Sequence, residues 1–276
     1  MLKISLENAV KLNQLKQITE RSRYLLKAAE DWEKGYKDDP ESFDMLLKME
    51  IRLENKMRQY FRELANDRVA GFVNWQNYSV ELLNVHRAFE VFVDVIDDAF
   101  EGEYYILLNI LIDEVAAGMR SGYTAQQNAT RFFLPPTRIE NLIDKAARKY
   151  SVRLAKGLNK TTRQRIASTI AKSLQLGEDV QTTTNRLMRV INDRRRAMTI
   201  ARTESVNSYG RGTVEFGKQS GAKKKVWKTV QLNACPICAP LDNVAVRLDA
   251  DFNTAIGPLF SPAAHPNCRC RSVLEY

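Results

Sequence analysis

The stretch "DDPESFDMLLKMEIRLENKMRQYFREL", residues 38–64, decides the fold class. Its apolar residues Phe43, Leu46, Leu47, Ile51, Leu53, Met57, Tyr60, Phe61 and Leu64 recur every three or four positions. That is the period of an α-helix with one buried face. Asp39-Pro40 stands ahead of them in the order of a helix cap and first-turn proline. Further along, Leu82, Val85, Phe89, Phe92, Val93, Ile96 and Phe100 trace a second stripe. Within it "VFVDVI" (91–96) has the composition of a strand, but the longer period around it favours helix.

The polar stretch "GMRSGYTAQQNATRFFLPP" (118–136), punctuated by Gly and Pro, reads as the break between two halves. Helices resume beyond it. Thr137-Arg138-Ile139-Glu140 has the form of a capping box. One helix is expected over 161–176, ended by Gly177, another over 180–192 behind Asp179 as N-cap, and a third from Arg194 to about Tyr209. After Gly221, "KKKVWKTV" and "NVAVRL" are short, β-branched and alternating, as strands are. The expected fold is mainly α. A long helical amino-terminal region (1–120) and a linker (121–137) lead to a domain at 138–276. That domain has a helical middle and a small carboxyl-terminal α+β module, with a Cys/His cluster, at 226–276.

A chain of 276 residues with 44% apolar side chains can bury a real core. The start "MLKISLENAVKLNQLK" lacks a secretory h-region and cleavage site, and "YYILLNILI" (104–112) is far short of the ~20 residues that cross a bilayer. A soluble, intracellular protein with no membrane partner is therefore expected. The net charge of +9 is unevenly spread. Residues 1–150 carry 21 Lys and Arg against 24 Asp and Glu, a balance of −3, whereas residues 151–276 carry 21 against 9, a balance of +12. Such asymmetry suits a polyanion partner for the second half and a protein partner for the first.

All four cysteines lie in the last 42 residues. Cys235 and Cys238 form a C-x2-C pair, and His265, Cys268 and Cys270 follow. These are five candidate ligands for a structural zinc site that needs four. The alternatives are two disulfides or unmetallated thiols. A treble-clef nuclease of the His-Asn-His type also carries such cysteine pairs, but it needs a histidine base. His265 is the only histidine after His86, so a His265 bound to metal leaves none to activate water, and a non-enzymatic protein is expected.

The other features read blandly. Asp97, Asp98, Glu101, Glu103, Asp113 and Glu114 read as a solvated helix face rather than a two-metal centre. Trp32, Trp75 and Trp227 read as core anchors. Arg202 and Glu204 are two apart and do not face each other on a helix, so each is expected to pair with another element. The runs Arg194, Arg195, Arg196 and Lys223, Lys224, Lys225 are the densest positive charge and are candidate contacts to nucleic-acid phosphate.

From residue 161 onward the motif order resembles a known family. A basic helix ending "RRRAMTIARTESVNSYGRGTVEFGKQSG" (194–221), a strand with Trp227, then "CPIC" and finally "HPNCRC" (265–270) resemble the phage Mu F-like minor head protein family. The resemblance implies a minor capsid component of a tailed phage or prophage that associates with portal and with capsid or scaffold proteins. It implies help in head assembly and in genome packaging or delivery. It places the protein in the virion, inside the head near the portal, and in the host cytoplasm during assembly. The charge split adds an expectation of non-specific contact with double-stranded DNA.

Overall fold

The computed structural model describes residues 39–69, 85–229 and 234–276. Trp32, Trp75 and Leu82, and the expected helices before residue 39, lie outside the described residues. Among the described residues, five α-helices lead into a small β module: α1 Pro40–Glu63, α2 Val85–Thr130, α3 Pro136–Gln175, α4 Val180–Ile191 and α5 Arg194–Ser220.

Helix α1 begins as its sequence dictates, with Pro40 in the first turn and the Asp39 carboxylate accepting from the Ser42 amide. The apolar stripe buries Leu46, Leu53, Met57, Tyr60, Phe61 and Leu64. Asp179 caps α4 as expected, accepting from the Thr182 amide at 2.7 Å. The "VFVDVI" segment is helical within α2.

Three expectations are corrected. The stretch read as a linker over 121–137 is helical as far as Thr130, and only residues 131–135 turn the chain. Gly118 and Gly122 are not breakers there, because α5 crosses α2 at that level. A Cβ on Gly122 would stand 2.1 Å from the Tyr209 carbonyl oxygen, and one on Gly212 of α5 would stand 2.0 Å from that of Met119. The glycines permit close backbone approach, which local sequence cannot distinguish from a turn. The capping box at Thr137 does not form either. Helix α3 starts at Pro136 with no side-chain cap, and Glu140 instead pairs with Arg120 of α2 at 2.9 Å. Finally, the helix expected over 161–176 is the end of the 40-residue α3, and α5 continues past Tyr209 to Ser220, where Gly221 closes it at φ 83°.

One core cluster joins Leu53, Met57 and Phe61 of α1, Phe100, Leu107 and Leu111 of α2, Ile166 and Ile170 of α3, Leu187 and Ile191 of α4, and Ala197 and Ile200 of α5. Helix α1, from the region expected to stand apart, thus shares its core with the second half. Tyr123 of α2 meets Phe216 of α5 edge-on at 5.2 Å. The buried Glu103 and Glu114 correct the expected solvated face. Glu114 pairs with Arg52 at 2.6 Å and with Lys56 at 2.9 Å, both on α1.

In the carboxyl-terminal module, β1 Lys224–Lys228 lies between β2 Ala245–Arg247 and β5 Arg271–Glu275, antiparallel to both. A hairpin of β3 Phe252–Thr254 and β4 Gly257–Leu259 covers one side. Trp227, fully buried, is the anchor the sequence suggested, and it packs edge-on against Phe252 at 5.1 Å. The sheet joins the helices through Leu274, which reaches Gly217 and Phe216 of α5.

Candidate metal centre

Two turns carry the cysteines. In the first, the Cys238 and Ala239 amides both donate to the Cys235 carbonyl, a tight loop that points both thiols the same way. In the second, the Cys268 amide donates to the His265 carbonyl, with Asn267 in the left-handed region at φ 64°. Asparagine tolerates that conformation better than most residues.

Together the turns bring all five expected ligands around one void of about 10 Å³, the room of a single water or ion. The ligand atoms of Cys235, Cys238 and His265 lie within 4.8 Å of one another, as do those of Cys238, Cys268 and Cys270, so Cys238 belongs to both sets. All four cysteines are free thiols. The Cys238 and Cys268 sulfurs stand 3.8 Å apart. Two thiolates ~2.3 Å from one tetrahedral zinc would be separated by about 3.8 Å, whereas a disulfide needs ~2.05 Å.

His265 is oriented by its backbone neighbour. Its Nδ1 lies 2.9 Å from the Pro266 carbonyl oxygen, which accepts only from an N–H. Its Nε2 is thereby turned toward the cluster, 3.1 Å from the Cys235 sulfur. Burial disfavours the imidazolium, but the Pro266 carbonyl and the Cys268 and Cys235 sulfurs outweigh it and raise the pKa. Burial likewise opposes the Cys235 thiolate, and hydrogen bonds from the Cys238 and Ile237 side prevail and lower its pKa. In the buried trio, hydrogen bonds from Cys238 and Cys270 pull Cys268 down, and those with Cys268 and Cys270 push Cys238 up. Cys238 also pulls Cys270 down, but Cys268 and burial win and leave it at about 12. Trp227 shares the module's buried cluster with this sulfur. This is a donor set for a soft or borderline metal ion.

Sequence reasoning missed how the cluster is clamped to the helices. Asn267 donates its amide to Thr203 Oγ1 and accepts from Arg202, both in the "ARTE" segment of α5. Arg202 also pairs with Glu50 of α1 at 2.9 Å, and Arg269, between Cys268 and Cys270, reaches the same carboxylate at 3.3 Å. All three side chains are buried or nearly so. Arg271 pairs with Asp39 at the cap of α1. Glu204 takes the Tyr150 hydroxyl of α3 at 2.6 Å, so both charged residues of "ARTE" pair with other elements, as expected. A signal for Glu50 was present: it lies between Leu46 and Leu53 on the buried stripe.

The two basic runs are split by the fold. Arg194, Arg195, Lys223 and Lys224 are exposed, with Lys224 paired to Glu275 at 2.9 Å. Arg196 and Lys225 are turned inward, and this corrects their expected place on a phosphate-binding surface. Arg196 bonds the Leu158 carbonyl and the Thr161 and Thr162 hydroxyls, and stacks over Phe61 at 4.6 Å. Lys225 donates to the Phe260 carbonyl and lies 3.5 Å from the centre of its ring.

The geometry thus defines a helical protein closed by a compact cysteine and histidine knot. Residues 164–273 match the family described as Phage Mu protein F like protein. This stretch takes in α4, α5, the knot and the β module as far as Val273, and over it the chain is similar to that family. No curated protein and no solved structure matches the chain. No helix among the described residues is long and apolar enough to cross a membrane.

Proposed function

We propose that the protein is a non-enzymatic minor head protein of a tailed phage or prophage, portal-associated, acting in head assembly and in genome packaging or delivery. The observation that carries this reading is that the Mu F-like stretch contains the knot and the helix it clamps. The proposed partners are portal and capsid or scaffold proteins, together with double-stranded DNA bound without sequence preference. The proposed location is the virion near the portal, after assembly in the host cytoplasm. Exposed Arg194, Arg195, Lys223 and Lys224 support the DNA contact.

The knot is proposed to hold one structural zinc through Cys235, Cys238, His265 and Cys268, with Cys270 supporting them from the Trp227 side. The Nε2 of His265, 3.1 Å from the Cys235 sulfur, and the 3.8 Å sulfur separation support this set. Bound there, the ion would crosslink the two turns across the void they line. With both ring nitrogens of His265 engaged, no histidine of the knot is free to serve as a general base, which supports the non-enzymatic reading over a nuclease.

Co-expression with the neighbouring portal and major capsid proteins, followed by affinity capture of this chain, tests the role. Capture of portal supports it. DNA cleavage by the purified protein that is lost in a folded His265→Ala variant would replace it with the nuclease reading.

A further inference from the structure

From Lys145 through Gly177, α3 and the turn after it contain nine Lys and Arg and no Asp or Glu. Arg148 and Arg165 of this set are neutralised, by Asp144 at 2.9 Å and by Asp193 at 3.5 Å. Lys145, Lys149, Arg153, Lys156 and Lys160 are all exposed, and among the described residues none of the five is in an ion pair. Their spacing is four, four, three and four residues. At about 100° per residue they fall within one arc of about 80°, and between 145 and 160 that arc holds no other residue. The row is about 22 Å long at the rise of an α-helix. Ala147, Ser151, Ala155 and Asn159 occupy the opposite, buried side.

We infer that this row is a docking surface for the phosphate backbone of double-stranded DNA. Like charges at i,i+4 destabilise an isolated helix, so nothing within the helix accounts for the arrangement. A protein-binding hot spot would be built on aromatic and aliphatic anchors, and the arc has none. Four of the five are lysines, flexible point charges that neutralise phosphate without reading sequence. Gly157 borders the row with no neighbour within 4 Å of where a Cβ would be. Among the described residues nothing packs there, which leaves room for a backbone to approach.

The inference rests on the DNA contact proposed above and relocates its principal surface to α3. The test is anisotropy of a labelled mixed-sequence duplex with the full chain, titrated with salt. It compares the wild type with two variants, one with all five row residues changed to Gln and one carrying R194Q, R195Q, K223Q and K224Q. Each phosphate left without its cation should lower the slope of log affinity against log salt by about 0.9, so the row variant should fall short by up to about 4.5 units. Its circular dichroism and melting should match the wild type. A row variant that keeps the wild-type slope while the other variant loses it overturns the inference and leaves the DNA contact standing. Failure of the wild type to bind duplex even at about 50 mM salt removes both. Retention on a polyglutamate column with no duplex binding overturns the inference too, and assigns the row to an acidic protein surface instead.

Discussion

Lys225 and Arg196 show what single residues reveal only when their period is respected. In β1 the alternation that buries Trp227 also buries Lys225 two positions earlier, so a strand reading of "KKKVWKTV" already turned that lysine inward. Arg196 stands four before Ile200 and eight before Glu204, on the buried face of α5. Both were legible, but charge density was read where periodicity ruled. Burial lowers the Lys225 pKa to about 8, so its charge is disfavoured in the folded protein. Between pH 8 and the ordinary lysine value the unfolded chain holds a proton that the folded chain has released, and stability should rise with pH across this window. Chemical denaturation at a series of pH values should show that rise, flattened in Lys225→Met. Glu50 is the opposite case, a buried anion that two arginines share. Glu50→Ala removes the buried carboxylate that Arg202 and Arg269 share and should cost about 3–5 kcal/mol in urea denaturation.

At the scale of elements, the helices were legible where an apolar stripe met a cap, as in α1 and α4, and illegible where tertiary contact set the sequence. The glycines at 118 and 122 were read as punctuation, and Gly212 went unread, because the residue that excludes a side chain lies on another helix. That constraint has no local trace. It predicts that Gly212→Ala, favourable in an isolated helix, should destabilise the protein by about 1–3 kcal/mol or more, because the new methyl meets backbone rather than a yielding side chain. Gly157→Ala is the control. With open space around it, the same change should raise stability by up to about 1 kcal/mol, read as a higher denaturation midpoint. The knot was legible as a set of five residues, since Cys and His at such spacing have few other uses. Its clamp was not, because Glu50 and Asn267 are separated by most of the chain.

Across the whole molecule, that clamp decides what loss of the proposed zinc would do. A module closed only on itself would unfold alone and leave the helices intact. Here Arg269 and Asn267 leave the knot for Glu50 and Arg202, and Arg271 reaches the cap of α1. A structural zinc supplies ~10–16 kcal/mol of apparent binding energy, comparable to the ~5–15 kcal/mol that holds a whole domain, so removal of the proposed ion should spread beyond the knot along the clamp. Amide hydrogen exchange of zinc-loaded protein, before and after chelation, should show protection falling first in the knot and β5, then in the first turns of α1. The α2–α3 interface, which touches none of these groups, should stay protected. Cys238→Ser should reproduce the chelated pattern more fully than Cys270→Ser, since Cys238 belongs to both ligand sets and Cys270 to one. Exchange in α1 that ignores chelation would show that the clamp holds without the metal, and the knot would then be a packed turn rather than the keystone of the interface.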